Sequence, residues 1–183
     1  MNKKLKNKNT GFTLVELIVS LGLFTVVMMI STSALLSLSD TNKKVQSMRV
    51  AFDNLNLALE SMSREIRMGS VYHCDATVGT VTTTRDCDVA SGGASSISFL
   101  SQTGEQITYQ LNGATVKRTV GPVGPDAMTA PEIKITNLRF YVLGTNSGSN
   151  DQPRVIITIS GTAGKRVTSS FNIQTTVTSR MPK

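Results

Sequence analysis

Apolar positions follow three different patterns along this chain. Leu17 to Ser39 is an uncharged and almost continuously apolar run (LIVSLGLFTVVMMISTSALLSLS). As a helix rising about 1.5 Å per residue it would span roughly 35 Å, enough to cross a hydrocarbon core of about 30 Å. From Val45 the pattern changes to steps of three and four, through Val45, Met48, Phe52, Leu55, Leu59, Met62 and Ile66. That spacing is one face of an amphipathic helix, with Asp53, Asn54, Glu60, Ser61 and Arg64 on the wet side. Gly69 is the expected C-cap, and Arg64 and Arg67 complement the helix dipole in the last turns. No proline lies between Phe12 and Gly69. The pattern therefore predicts one helix of about 57 residues, roughly 85 Å long, from Phe12 to Met68. Local melting would begin at Gly22 or at Ser31-Thr32-Ser33.

After Gly69 the period falls to two. Residues 71–93 read as irregular, with a Thr-rich possible strand at Val78 to Thr84. Alternation then runs through Ile97 and Phe99, then Ile107, Tyr109 and Leu111, then Val116, Arg118 and Val120. Asn112-Gly113 and Thr103-Gly104 are hairpin turn candidates, and Gly121 to Pro125 ends this meander. A second block alternates at Ile133 and Ile135; Leu138, Phe140 and Val142; Val155, Ile157 and Ile159; and Val167, Phe171, Ile173 and Val177. Gly144 to Pro153 reads as a long polar connection, and Gly161 to Gly164 as the last hairpin turn. One apolar face per strand implies an antiparallel sheet covered on one side, with the helix stripe as its cover. The predicted fold class is α+β, a long N-terminal helix, transmembrane and then amphipathic, packed on an antiparallel sheet. A two-stranded coiled coil suits the stripe less well, because its heptads lack regular e and g charge pairs.

Charge refines this picture. The chain of 183 residues carries a formal charge of +7. Four lysines (Lys3, Lys4, Lys6, Lys8) precede Gly11, leaving fifteen basic against twelve acidic residues from Phe12 onward. The basic balance is thus weak support for a nucleic-acid partner. Those lysines would hold the N-terminus on the cytoplasmic side of a span. Glu16 sits one turn inside the apolar segment, where an acid needs a partner.

A short basic leader ending in glycine, then Phe12-Thr13-Leu14-Val15-Glu16 and an apolar helix, resembles the N-terminal signal of type IV pilins and type II secretion pseudopilins. The resemblance implies cleavage between Gly11 and Phe12 by a prepilin peptidase, N-methylation of Phe12, and pairing of Glu16 with the N-terminal ammonium of a neighbouring subunit. It divides the chain into a leader (1–11), a transmembrane and filament-core helix (12–39), an amphipathic helix half (40–69) and an extracytoplasmic β domain (70–183). Implied partners are other pilin subunits, the peptidase, the membrane and an inner-membrane assembly platform, with the filament in the periplasm or at the cell surface. The order helix, irregular segment and antiparallel meanders is similar to minor pilins and J-type minor pseudopilins.

Enzymatic chemistry has little to stand on, since no nucleophile motif, P-loop or dinucleotide fingerprint occurs. His73, Cys74 and Cys87 match no standard zinc spacing; a disulfide between Cys74 and Cys87 suits an oxidising compartment better. Asn150-Asp151 shows no ordered calcium-ligand string, and no cofactor is implied. Lys117, Arg118, Lys134, Arg139, Arg154, Lys165, Arg166 and Arg180 would have to gather on one face for DNA contact. The expected function is a structural, minor subunit of a type IV filament, a pilus or a secretion pseudopilus. The alternative is a pilin-like module that binds DNA or a secreted substrate.

Overall fold

The computed structural model describes residues 11–75, 80–146, 151–164 and 169–180. A single helix, α1 (Leu14–Met68), precedes eight strands: β1 (Ser70–Cys74), β2 (Ser96–Leu100), β3 (Gln106–Asn112), β4 (Thr115–Val120), β5 (Val123–Ala127), β6 (Ile133–Leu143), β7 (Arg154–Ala163) and β8 (Ser169–Thr178). The chain divides into two units, one ending at Lys43 and the other beginning at Lys44. In the first unit the residues from Gly11 to Lys43 are all exposed. Its helix forms without support from a core, as aliphatic residues with neither proline nor a run of turn formers allow.

In the second unit the helix packs on antiparallel strands. Two sheets are present where the alternation suggested one: β1 to β5 in sequential order, and β6 to β8. The division has a local cause. The edge of β6 that could have continued the first sheet is occupied by the segment after Arg85, through paired backbone hydrogen bonds of Cys87 with Val142 and of Ala94 with Phe140. Asp86 fixes the same segment by accepting from the backbone N–H groups of Gly144 (3.1 Å) and Thr145 (3.0 Å) and from the Thr145 hydroxyl.

The helix buries Ala51, Leu55, Ala58, Leu59, Met62 and Ile66. That face is shifted from the expected stripe: Val45 stays 43% exposed, while the small Ala51 and Ala58 are buried. Facing it are Ile97, Phe99, Tyr109 and Val116 of the first sheet and Leu138, Phe140, Ile157 and Ile159 of the second, in one continuous core. Burial of Met62 or Ile66 contributes roughly 2–3 kcal/mol each. Phe52 meets Phe171 edge to face at 6.0 Å, and the Ser169 hydroxyl donates to Met48 Sδ at 3.3 Å. The helix therefore seals both sheets.

Gly69 ends the helix, but through clearance rather than a left-handed cap. Its backbone is not in the positive-φ region, and a Cβ there would lie 2.5 Å from Phe99 Cδ2. The buried Tyr72 hydroxyl, 2.6 Å from the carbonyl oxygens of both Ile66 and Gly69, shares its proton between these helix-end acceptors.

Other expectations need correction. Ser70–Cys74, read as irregular, is β1, whose pairing with β2 is interrupted by a bulge between Ser70 and His73. Val71 within that bulge has φ 51, a strained value for a β-branched residue. The possible strand at Val78 to Thr84 is not one over 80–84, and Val78 lies outside the described residues. Val81 instead donates its N–H to Gln106 Oε1 at 2.7 Å, strapping the segment onto β3. The first meander continues past Gly121-Pro122 into β5, which pairs with β4. The β3–β4 loop is Gly113-Ala114, one residue later than expected, since Asn112 pairs with Thr115. Gly161 to Ala163 belong to β7, not to a turn. A Cβ at Gly161 would strike the Lys134 carbonyl oxygen and lie 3.0 Å from Ile135 Cα, next to the register shift of β6 beyond Ile135. Gly144 to Pro153 does connect β6 to β7, although residues 147–150 lie outside the described residues.

Candidate functional site

The N-terminal segment is built as a helix start whose reactive positions stand clear of the protein. Thr13 is the N-cap: its Oγ1 accepts from the Glu16 N–H at 3.2 Å, and its carbonyl accepts from the Leu17 N–H at 3.2 Å. Thr13 is thus at the Ncap position and Glu16 at N3. This places the Glu16 carboxylate at the helix end where partial positive charge accumulates. Among the described residues Glu16 forms no ion pair. Phe12 is 80% exposed, and a Cβ added at Gly11 would meet nothing within 4 Å. The fold therefore imposes no steric demand for glycine at position 11.

Beyond the cap, four hydroxyls of the apolar run are satisfied by the helix itself. Thr25 Oγ1 donates to the Gly22 carbonyl at 2.8 Å, Ser31 Oγ to Val27 (2.8 Å), Thr32 Oγ1 to Met28 (2.8 Å) and Ser33 Oγ to Met29 (3.0 Å). In hydrocarbon, where water is absent, such back-bonding removes most of the cost of a hydroxyl. Neither Gly22 nor the Ser31 to Ser33 cluster interrupts α1. The helix is long and apolar enough to cross a membrane, and the hydrophobic window is unburied within the chain.

In the second unit, Cys74 at the end of β1 and Cys87 in the segment along β6 are joined, their Cα atoms 5.9 Å apart. Both sulfurs are engaged with each other, so neither is a thiolate ligand for metal in this arrangement. His73 is left without a cysteine partner for the zinc set considered from the sequence.

The basic residues gather only in part. Lys134, Arg139 and Arg154 alternate onto the outer face of the β6–β8 sheet, in register with Thr162, Thr158 and Leu143. Arg118 is spent elsewhere: its Nε and Nη2 donate to the two oxygens of Glu65 at 3.0 and 2.9 Å, a bidentate pair. The fully buried Tyr109 donates its hydroxyl to Glu65 Oε2 at 2.5 Å. Burial first, and the neighbouring carboxylate second, push the Tyr109 phenol well above its ordinary pKa; the hydrogen bond to Glu65 raises that of Arg118. The Glu65 cluster clamps helix to sheet. Glu65 was not singled out from the sequence, and only the alternation that sets Tyr109 opposite Arg118 across β3 and β4 hinted at it. Arg180 lies apart, its N–H donating to the Arg67 carbonyl at 2.9 Å. Lys165, Arg166 and Asn150, and the leader up to Thr10, lie outside the described residues.

Comparison with known families adds one match: residues 6–32 fit the prokaryotic N-terminal methylation motif. No curated protein and no solved structure matches the chain. The matched residues take in Gly11, Phe12, the Thr13 cap and Glu16, and they open an apolar helix that continues into antiparallel sheets. That motif, opening an apolar helix long enough to cross a membrane, is what this chain shares with type IV pilin-like proteins.

Proposed function

We propose that the chain is a structural subunit of the minor class in a type IV filament, either a pilus or a type II secretion pseudopilus. Peptidase cuts between Gly11 and Phe12, Phe12 is methylated, and the subunit waits in the inner membrane with its β domain on the extracytoplasmic side. An assembly platform then moves it into the filament, where helix 12–39 joins the core and Glu16 pairs with the ammonium of a neighbouring Phe12. The methylation motif over residues 6–32 carries this reading. The open space around Gly11 supports it, because the need for a small residue there arises outside the chain's own fold. The minor class rests on the order of helix, irregular segment and antiparallel meanders.

Intact-mass measurement and N-terminal sequencing of protein from a host with prepilin peptidase should find a chain beginning at methylated Phe12. Gly11→Leu should retain the leader in full. A chain beginning near residue 35 would identify an ordinary secretory signal and overturn the proposal.

The disulfide belongs to the same proposal, since an extracytoplasmic domain matures in an oxidising compartment. Closing the loop from Cys74 to Cys87 would stabilise the domain by about 3 kcal/mol through restriction of the unfolded chain. Alkylation of the exported protein without reductant should leave both cysteines unmodified. Two reactive thiols in folded protein would remove this part of the proposal.

A further inference from the structure

We propose that the groove between the exposed side of α1 and the outer edge of β8 docks an extended, acidic segment of a partner polypeptide. The groove has a volume of 890 Å³ and lies wholly within the second unit. Three consecutive residues of β8 line it: Ile173, Gln174 and Thr175. Consecutive strand residues point to opposite faces, so a groove touching all three runs along the strand's edge and not over one face. Among the described residues that edge pairs with no strand, β8 being terminal in the order β6-β7-β8. Unpaired strand backbone is a template for another extended chain.

Charge supplies the second half of the argument. Arg64, Arg67 and Arg180 line the same groove. Among the described residues none of the three forms an ion pair, and Glu60 is the one carboxylate in the lining. Arg64 and Arg67 are one turn apart on α1, about 5–6 Å between Cβ atoms. Alternate side chains of an extended peptide project on one side about 7 Å apart, a spacing two long arginines can match. Arg180 is held beside them by its backbone bond to the Arg67 carbonyl. Guanidinium groups present planar donor forks that suit carboxylates. Leu59 and Ile173 give the groove an apolar floor. No aromatic side chain is among the lining residues, so a nucleic acid would find no platform on which to stack bases. A free strand edge together with arginines therefore selects a polypeptide over a phosphodiester chain.

The test uses the full chain in detergent and a short fluorescent peptide of alternating threonine and glutamate, with binding followed by anisotropy. The peptide should bind wild type, and replacing its glutamates by glutamine should weaken binding about tenfold or more. The triple variant Arg64→Gln, Arg67→Gln, Arg180→Gln should show a similar loss with an unchanged melting temperature. Arg139→Gln with Arg154→Gln, on the outer face of the same sheet, should bind like wild type. Amide hydrogen exchange of β8 should slow when the peptide is present. The proposal is overturned if the peptide does not bind, if the two sets of arginine variants weaken it equally, or if β8 exchange is unaltered. Tighter binding of a single-stranded oligonucleotide than of the peptide would equally overturn it and point to a phosphate-binding groove.

Discussion

Glu16→Ala is expected to yield a protein that is inserted, cleaved and folded, yet absent from filaments. Cleavage at Gly11 gives Phe12 an ammonium, and a carboxylate one turn away on the same helix is poorly placed to satisfy it fully while also serving the helix end. Under the proposed assembly the Glu16 carboxylate of one chain meets the Phe12 ammonium of the next, each removing the cost of the other in a medium of low polarity. Exchange of lipid for helix contacts brings little apolar gain, so the charge pair sets axial register. The capping geometry at Thr13 sharpens the test. The Thr13 oxygen accepts from the backbone of residue 16, not from its side chain, so alanine keeps that bond and the helix start. Glu16→Gln keeps the shape and removes the charge, and should fail to assemble as Glu16→Ala does. Filament yield and crosslinking to partner pilins, scored beside cleavage, decide the matter. A variant that assembles like wild type would reduce Glu16 to a tolerated interface residue and overturn the register mechanism.

Glu65→Ala should cost the folded domain about 2 kcal/mol, against a few tenths for Asp53→Ala on the wet side of the same helix. The substitution leaves the bidentate Arg118 without its carboxylate and the buried Tyr109 hydroxyl without its acceptor. Fully buried pairs lose more, but the Glu65 and Arg118 side chains retain 25% and 27% exposure, so water recovers part of the loss. Urea unfolding of the full chain, followed in the near-ultraviolet, measures the difference. Equal midpoints for the two variants would show that the clamp contributes nothing. The same cluster gives an alkaline signature. The Tyr109 pKa is raised in the folded state, so its contribution is present below the unfolded value of about 10 and declines as pH rises above it. Tyr109→Phe should flatten that decline.

Strongly periodic parts of this chain could be read directly. The continuous apolar run, the helical stripe from Leu55 to Ile66 and the alternation through Ile97, Tyr109 and Ile157 each announce their element, because burial on one face repeats at the period of the backbone. Bulges concealed the rest. In β6 the buried positions change from odd (Ile133, Ile135) to even (Leu138, Phe140, Val142), and one bulged strand looked like two. In β1 a bulge and the positive φ of Val71 break the alternation. In β5, Val123-Gly-Pro-Asp-Ala buries nothing, and its glycine and proline mimic a turn. Two sheets were beyond reach because the separating contacts, Cys87 with Val142 and Ala94 with Phe140, join residues about fifty apart with no local pattern. The N-terminal methylation motif was legible for the opposite reason: residues 6–32 form a contiguous signal whose spacing survives without tertiary context.

The hydroxyls of Ser31, Thr32 and Ser33, each already donating to a carbonyl of the preceding turn, have one more consequence. Three successive residues point around most of the helix circumference, so no single neighbour could have served all three. Because each is satisfied by its own helix, the segment can rotate, slide or change company without breaking a polar contact. In the proposed filament subunit such a stem can pass from bilayer to polymer and back without giving up a hydroxyl bond at these three positions, which leaves axial register to the proposed Glu16 pair.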